Sequence, residues 1–140
     1  MQACGKTMKL PSGARFYDLT SHEDKRGSLT AFDDVTNMPF EARRFFFIKM
    51  PSPGIPRAEH ACSSEQMIVV LHGMVSIDID DGFHQATIEL HSDRQALWLK
   101  PGLWIRMTGN TSNTVLLVLA SELFSETKYY ASARSGIMNK

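Results

Sequence analysis

The chain has 140 residues, 43% apolar and 21% charged, which argues against wholesale disorder and for one domain spanning 1–140. Fifteen Lys plus Arg balance fifteen Asp plus Glu. That neutrality argues against nucleic acid as the main partner, since counterion release needs a basic field, but it leaves room for a small basic pocket.

Apolar residues fall in short bursts separated by turn signals, the pattern of many short strands. Phe45-Phe46-Phe47-Ile48 follows Arg43-Arg44 and ends at a loop holding Pro51, Pro53, Gly54 and Pro56. Met67 to Leu71 is the next run, closed by His72-Gly73. Val75, Ile77 and Ile79 alternate with Ser76, Asp78 and Asp80, the period of a half-buried strand. Asp80-Asp81-Gly82 is turn chemistry, and alternation resumes from Phe83 to Leu90, so Met74 to Leu90 is expected to be a hairpin. Ala96 to Leu99 precedes a Pro101-Gly102 turn. Thr114 to Ala120 is a continuous apolar run suited to a strand covered on both faces. Helical periodicity is scarce: only Glu122 to Arg134 suits a short helix, with Ser121 as its N-cap. The expected fold is all-β, an antiparallel sandwich or barrel.

The two cysteines, Cys4 and Cys62, are too few for a disulfide framework and lack the paired spacing of a zinc site. Free thiols fit a reducing compartment. The sequence has no apolar run of signal-peptide or membrane-span length, so a soluble, cytoplasmic protein without a membrane partner is expected.

The densest polar cluster runs from Arg57 to Gln66, straight into a hydrophobic strand. In extended chain His60 and Cys62 share one face, and inside a barrel that face looks into the cavity. The bland alternative is a surface loop with one solvated histidine. Metal binding fits poorly, because Cys62 stands where a His-x-His metal pair needs its second histidine, and Arg106, which stands at the distant ligand position, has a permanent charge that repels a cation. Arg43 and Arg44 alternate across a strand, so one should face inward, where it needs an anionic partner. Asp24-Lys25-Arg26-Gly27 reads from the residues alone as a charged turn. Trp104 suits a cavity wall for a sugar or base as well as plain core.

Together these segments resemble the cupin-type sugar-nucleotide 3,4-ketoisomerases, which act on dTDP-4-keto-6-deoxyglucose. The matching pieces are Asp24 to Leu29, Met38-Pro39-Phe40, Arg44 to Ile48, Pro56-Arg57 with His60-Ala61, and Gln66 to Leu71 with Gly73. Further on they are Pro101 to Trp104 and Val115 to Leu123, so the match runs in order from Leu19 to about Tyr130. The tail from Ala131 to Lys140 looks unlike the family.

The resemblance implies a jelly-roll cupin barrel with a short C-terminal helix, assembled as a homodimer, without metal or cofactor, and binding a dTDP-linked hexose. It implies that a base removes the C3 proton, that an enediol forms, and that a proton is delivered to C4. The first histidine of the family's His-x-His pair falls on His60, the expected base. The second falls on Cys62, the candidate catalytic acid in place of the missing groups, since a thiol titrates closer to neutrality than a phenol. The family's catalytic tyrosine position carries Phe46. Arg26, Arg44 and Arg57 become candidates for the nucleotide diphosphate, and Trp104 for a cavity wall. Ile105 stands where the family often has a polar residue; Arg106, its neighbour, is the substrate-binding candidate that would compensate, although alternation points it to the other side, and Phe46 is a further substrate-binding candidate. A dTDP-4-keto-sugar epimerase and a catalytically weakened nucleotide-sugar binding protein are the alternatives, the second suggested by Phe46 and Cys62.

Overall fold

The computed structural model describes residues 10–32, 38–91 and 93–134. Among these, strands dominate. An N-terminal group comprises β1 (Ala14–Asp18), β2 (Thr20–Asp24) and β3 (Gly27–Ala31). A central group comprises β4 (Arg44–Met50), β5 (Pro56–Cys62), β6 (Gln66–His72), β7 (Val75–Asp80) and β8 (Gln85–Leu90). The last group is β9 (Gln95–Leu99), β10 (Trp104–Gly109), β11 (Thr114–Ala120) and the two-residue β12 (Tyr129–Tyr130). One five-stranded sheet has the order β1-β9-β6-β11-β4, a second has β12-β5-β10-β7-β8, and β2-β3 form a separate hairpin. Every pairing is antiparallel. The antiparallel all-β sandwich expected from the spacing of apolar bursts is the observed architecture.

Alternation decides which side chains go inside. In β7, Val75, Ile77 and Ile79 are buried while Ser76, Asp78 and Asp80 are half-exposed. The partner strand β8 contributes Ile88 and Leu90 from the same face. The hairpin closes as expected: the Asp81 carboxylate accepts the Phe83 and His84 N–H groups at 2.7 Å each, and Gly82 takes φ 97°. An Asx-type turn of this kind satisfies two donors that the ladder leaves open.

The main core lies between the two sheets. The first sheet supplies Ile68, Val70, Leu97, Leu116 and Val118; the second supplies Ile77, Ile79, Ile88 and Ile105. A smaller cluster covers the other face of the first sheet, where Met67, Val69, Ala96 and Leu119 pack against Tyr17, Phe32, Phe40 and Trp98. Two-sided burial explains why β6 and β11 read as unbroken apolar runs rather than alternating ones. On the edge strand β4 the alternation is sharp. Arg44, Phe46 and Ile48 turn toward the interior, whereas Phe45 and Phe47 are 73% and 66% exposed.

The C-terminal segment differs from the expected helix over Glu122 to Arg134. Only Phe124–Glu126 forms a short 3-10 turn, and the chain then extends into β12. Ser121 is not a helix cap; its hydroxyl accepts the Glu65 N–H at 2.9 Å, tying β11 to the start of β6. Two β-forming tyrosines then pair with β5, Tyr129 opposite Cys62 and Tyr130 opposite Ala61. Gly102 clamps the chain beyond β12: its N–H donates to the Cys62 carbonyl at 2.8 Å and its carbonyl accepts the Arg134 N–H at 2.8 Å. A Cβ at Gly102 would run into the Arg134 carbonyl, and φ there is +90°, so the close approach requires glycine.

Leu116 is fully buried on β11, an interior strand of the first sheet. Leu116→Ala is expected to cost about 2–5 kcal/mol through lost burial and a residual cavity. A lowered urea midpoint with an unchanged m value checks this.

Candidate active site

Between the sheets, at the end where β4, β5 and β12 come together, a cavity of about 190 Å³ interrupts the apolar core. Strand β4 contributes Arg44, Phe46 and Ile48; strand β5 contributes Arg57, Ala58 and His60. Gln66, Ile105, Met107 and Tyr129 complete the wall. Ligand clefts commonly hold about 300–1,000 Å³, so this cavity seats one part of a larger ligand.

A local irregularity in β5 gathers its three contributors. Ala58 and Glu59 have φ of 72° and 60°, the left-handed region that non-glycine residues avoid. There the register with β10 slips: Ile105 pairs with His60, but Arg106 pairs with Ala58. Glu59 is therefore left unpaired, a bulge that bends the strand and re-aims its side chains. Regular alternation would send Arg57 and Ala58 to opposite faces; with the bulge Arg57, Ala58 and His60 all reach the cavity. The strain, about 1–2 kcal/mol per left-handed residue, is stored at the site.

His60 is half-buried, and its buried Nδ1 has no hydrogen-bond partner. Burial pushes the imidazole below its ordinary value, outweighing a backbone hydrogen bond that acts the other way. The ring is thus neutral at pH 7 and can accept a proton. Its edge contacts the Tyr129 ring, with centroids 4.8 Å apart and planes at 63°. The Arg44 guanidinium lies 4.2 Å from the Phe46 ring centroid and 5.1 Å from that of Phe124. Its neighbour Arg43 faces out and pairs with Glu126 at 3.0 Å, so the inward arginine of the two is Arg44. Among the described residues, neither Arg44 nor Arg57 has a carboxylate within ion-pair distance. Two such guanidiniums beside a neutral imidazole and an amide favour an anionic, oxygen-rich ligand.

Of the residues singled out in the sequence, the structure brings together His60, Arg44, Phe46 and Arg57. Cys62 is adjacent but sealed: it is 6% exposed, and its thiol donates to the Ser64 carbonyl at 3.6 Å. Burial, the largest influence, pushes that thiol above its ordinary value, so it keeps its proton. Trp104 and Arg106 lie on the opposite face of β10 from Ile105 and Met107, away from the cavity. They line a larger outer groove of about 790 Å³ with Asp78, Asp80 and Thr87. Size does not make that groove the reaction site, because its polar groups satisfy one another. Arg106 bonds Asp78 at 2.9 Å, Thr87 bonds Asp78 at 2.6 Å, and Gln85 bonds Asp80 at 3.2 Å. Arg26 is at the exposed tip of the β2–β3 hairpin, paired with Asp24.

Sequence reasoning missed Tyr129, Ile48, Gln66 and Met107. Alternation from Phe46 and Ile105 points to Ile48 and Met107. Nothing local to Tyr129 signals that it crosses to His60, because the contact spans 69 positions.

Three comparisons bear on the chain. A family model described as "FdtA: WxcM-like, C-terminal" matches residues 12–136. The TDP-4-oxo-6-deoxy-alpha-D-glucose-3,4-oxoisomerase of Aneurinibacillus thermoaerophilus is 36% identical over 107 residues, 76% of this chain and 77% of that protein. Among solved structures, a 3,4-ketoisomerase from Helicobacter canadensis superposes with a TM-score of 0.78 at 29% identity, covering 85% of this chain and 90% of that one. The 3,4-ketoisomerase QdtA from Thermoanaerobacterium thermosaccharolyticum, solved as a mutant in complex with TDP-4-keto-6-deoxyglucose, gives a TM-score of 0.81 at 28% identity, covering 88% and 90%.

The half-buried imidazole and the sealed thiol each have a measurable effect. Unfolded His60 takes up a proton near its ordinary value of about 6.5, whereas the folded ring resists until lower pH. Stability should therefore fall as pH drops from about 7 through that ordinary value, and His60→Gln should lessen the fall, read as urea midpoints at pH 8, 6 and 5. Iodoacetamide should alkylate Cys62 at least about tenfold more slowly in the folded chain than in urea, followed by peptide mass spectrometry.

Proposed function

Because this chain belongs to the FdtA, WxcM-like family, we propose that it moves the carbonyl of a dTDP-4-keto-6-deoxyhexose between C4 and C3, as a sugar-nucleotide 3,4-ketoisomerase. The observation that carries the reading is His60: a neutral imidazole aimed into a cavity flanked by two guanidiniums that have no carboxylate partner among the described residues.

The chemistry asks little more of the protein than position and proton transfer. The C3 hydrogen is acidic because the neighbouring C4 ketone delocalises the charge that its removal leaves. His60 takes that proton, an enediol forms, and protonation at C4 leaves the carbonyl at C3. A base that titrates near neutrality suits both halves of the exchange, since it must release what it takes. Arg44 and Arg57 hold the anionic part of the ligand and stabilise charge on the sugar oxygens as it develops. Phe46 closes one wall without offering a proton. The modest cavity receives the hexose, and the nucleotide extends past it.

We further propose that the chain works as a cytoplasmic homodimer. Support comes from β4, which pairs with β11 on one side, forms a sheet edge among the described residues and presents Phe45 and Phe47 outward, since exposed aromatic residues along a sheet edge favour association. The free, buried Cys62 fits a reducing compartment.

Proton NMR with dTDP-4-keto-6-deoxyglucose in D₂O tests the assignment. Loss of the C3 proton signal with growth of a 3-keto product is expected, and His60→Asn should lower turnover by about 10²–10⁴-fold. Exchange at C3 and C5 without carbonyl migration would instead mark an epimerase. Ligand line broadening without exchange would mark a binding protein.

A further inference from the structure

The reaction needs more than one proton-transfer group. As the C3 hydrogen leaves, the C4 oxygen must gain a proton; as C4 is protonated, the C3 oxygen must lose one. His60 serves the carbon side. The position where family resemblance places a tyrosine carries Phe46, which has nothing to exchange. Cys62 does not line the cavity, and its buried thiol is committed to the Ser64 carbonyl.

Among the described side chains lining the cavity, His60, Tyr129 and the two arginines are the ones that titrate, and arginine does not give up its proton in proteins. Of these, Tyr129 is the one whose ring lies against His60 on the cavity wall. The atoms to be served, C3, C4 and their oxygens, lie within one or two bonds of each other, so the two groups must be neighbours. The Tyr129 ring touches the imidazole, 4.8 Å from centroid to centroid. It reaches there because β12 pairs it with Cys62, two residues beyond His60 on β5. The side chain is 44% exposed and its hydroxyl makes no hydrogen bond to another described residue, so it is open to a ligand. The other two tyrosines are placed elsewhere. Tyr130 packs under the Arg134 guanidinium, and Tyr17 belongs to the cluster on the far side of the first sheet.

We propose that Tyr129 is the oxygen-side acid–base group of the isomerisation, a role displaced from β4 to the C-terminal strand. This inference rests on the ketoisomerase reading. The Tyr129 hydroxyl donates its proton to O4 as His60 removes the C3 proton, giving the neutral enediol, a tyrosinate and an imidazolium. The imidazolium then protonates C4 while the tyrosinate takes the proton from O3. Both groups return to their starting forms, and no oxidant, reductant or further reactant is consumed.

The test compares the full-length protein with Tyr129→Phe, which removes one oxygen and leaves the ring against His60. With dTDP-4-keto-6-deoxyglucose, kcat should fall at least about tenfold while KM and the affinity for dTDP stay within about twofold of wild type and Tm within about 3 °C of it. Adding Phe46→Tyr to the Tyr129→Phe chain should recover part of the lost kcat, an effect that a packing role for Tyr129 would not produce. Wild-type kcat in Tyr129→Phe would overturn the proposal. So would a parallel loss of kcat, dTDP affinity and Tm, which would make the tyrosine a stacking wall. If the wild-type chain itself fails to turn over this substrate, the ketoisomerase reading falls first and takes this one with it.

Discussion

Two sheets share a dry interior only while the residues on their facing sides are apolar, because an unpaired charge or polar group placed there costs several kcal/mol. Through most of this molecule the rule holds: isoleucine, valine and leucine fill the interior positions of β6, β7, β8 and β11. It is broken at one end, where the half-buried Arg44, His60 and Gln66 face inward and the exposed Arg57 stands at the cavity rim. A polar cluster in that place is tolerable when something fills and pairs it. The cavity is therefore a demand for a ligand as much as a space for one, and the sign of the demand is set by two guanidiniums.

The β5 bulge concentrates this demand. A regular strand shows every second side chain to the interior, so neighbouring functional positions cannot be served from one edge. Two left-handed residues buy the exception. The left-handed conformation falls on Ala58 and Glu59, neither of which favours it, so surrounding contacts must hold it in place. The bulge is consequently a point where stability and chemistry pull in opposite directions.

Much of this architecture is legible in the sequence, and the limits have physical causes. The β7–β8 hairpin announces itself through alternation and an Asp-Asp-Gly turn, both local signals. The inward Arg44 is narrowed to one of two neighbours by parity alone. Trp104 is open to two readings, wall or core, and the structure places it on the outer face because β10 runs in strict alternation from Ile105. The helix expected after Ser121 rests on weak periodicity; Ser121 is used instead to bridge β11 and β6, and the tyrosines find an edge to pair with. A two-residue strand has no periodicity of its own to detect. The register slip at Glu59 is likewise invisible in composition, since it depends on how β10 meets β5.

The clamp at Gly102 holds a tail in which two tyrosines stand side by side. Neighbours on a strand point to opposite faces, so sliding β12 by one place would turn Tyr129 away from the cavity and bring Tyr130 in. A one-residue deletion in the connection from β11, in most proteins a fatal error of parity for a side chain at a reactive site, would here deliver the same phenol to the same wall. Shortening of that connection by one residue is thereby buffered, with the loss falling on the stacking of Arg134 over Tyr130 and not on the chemical group presented to the sugar.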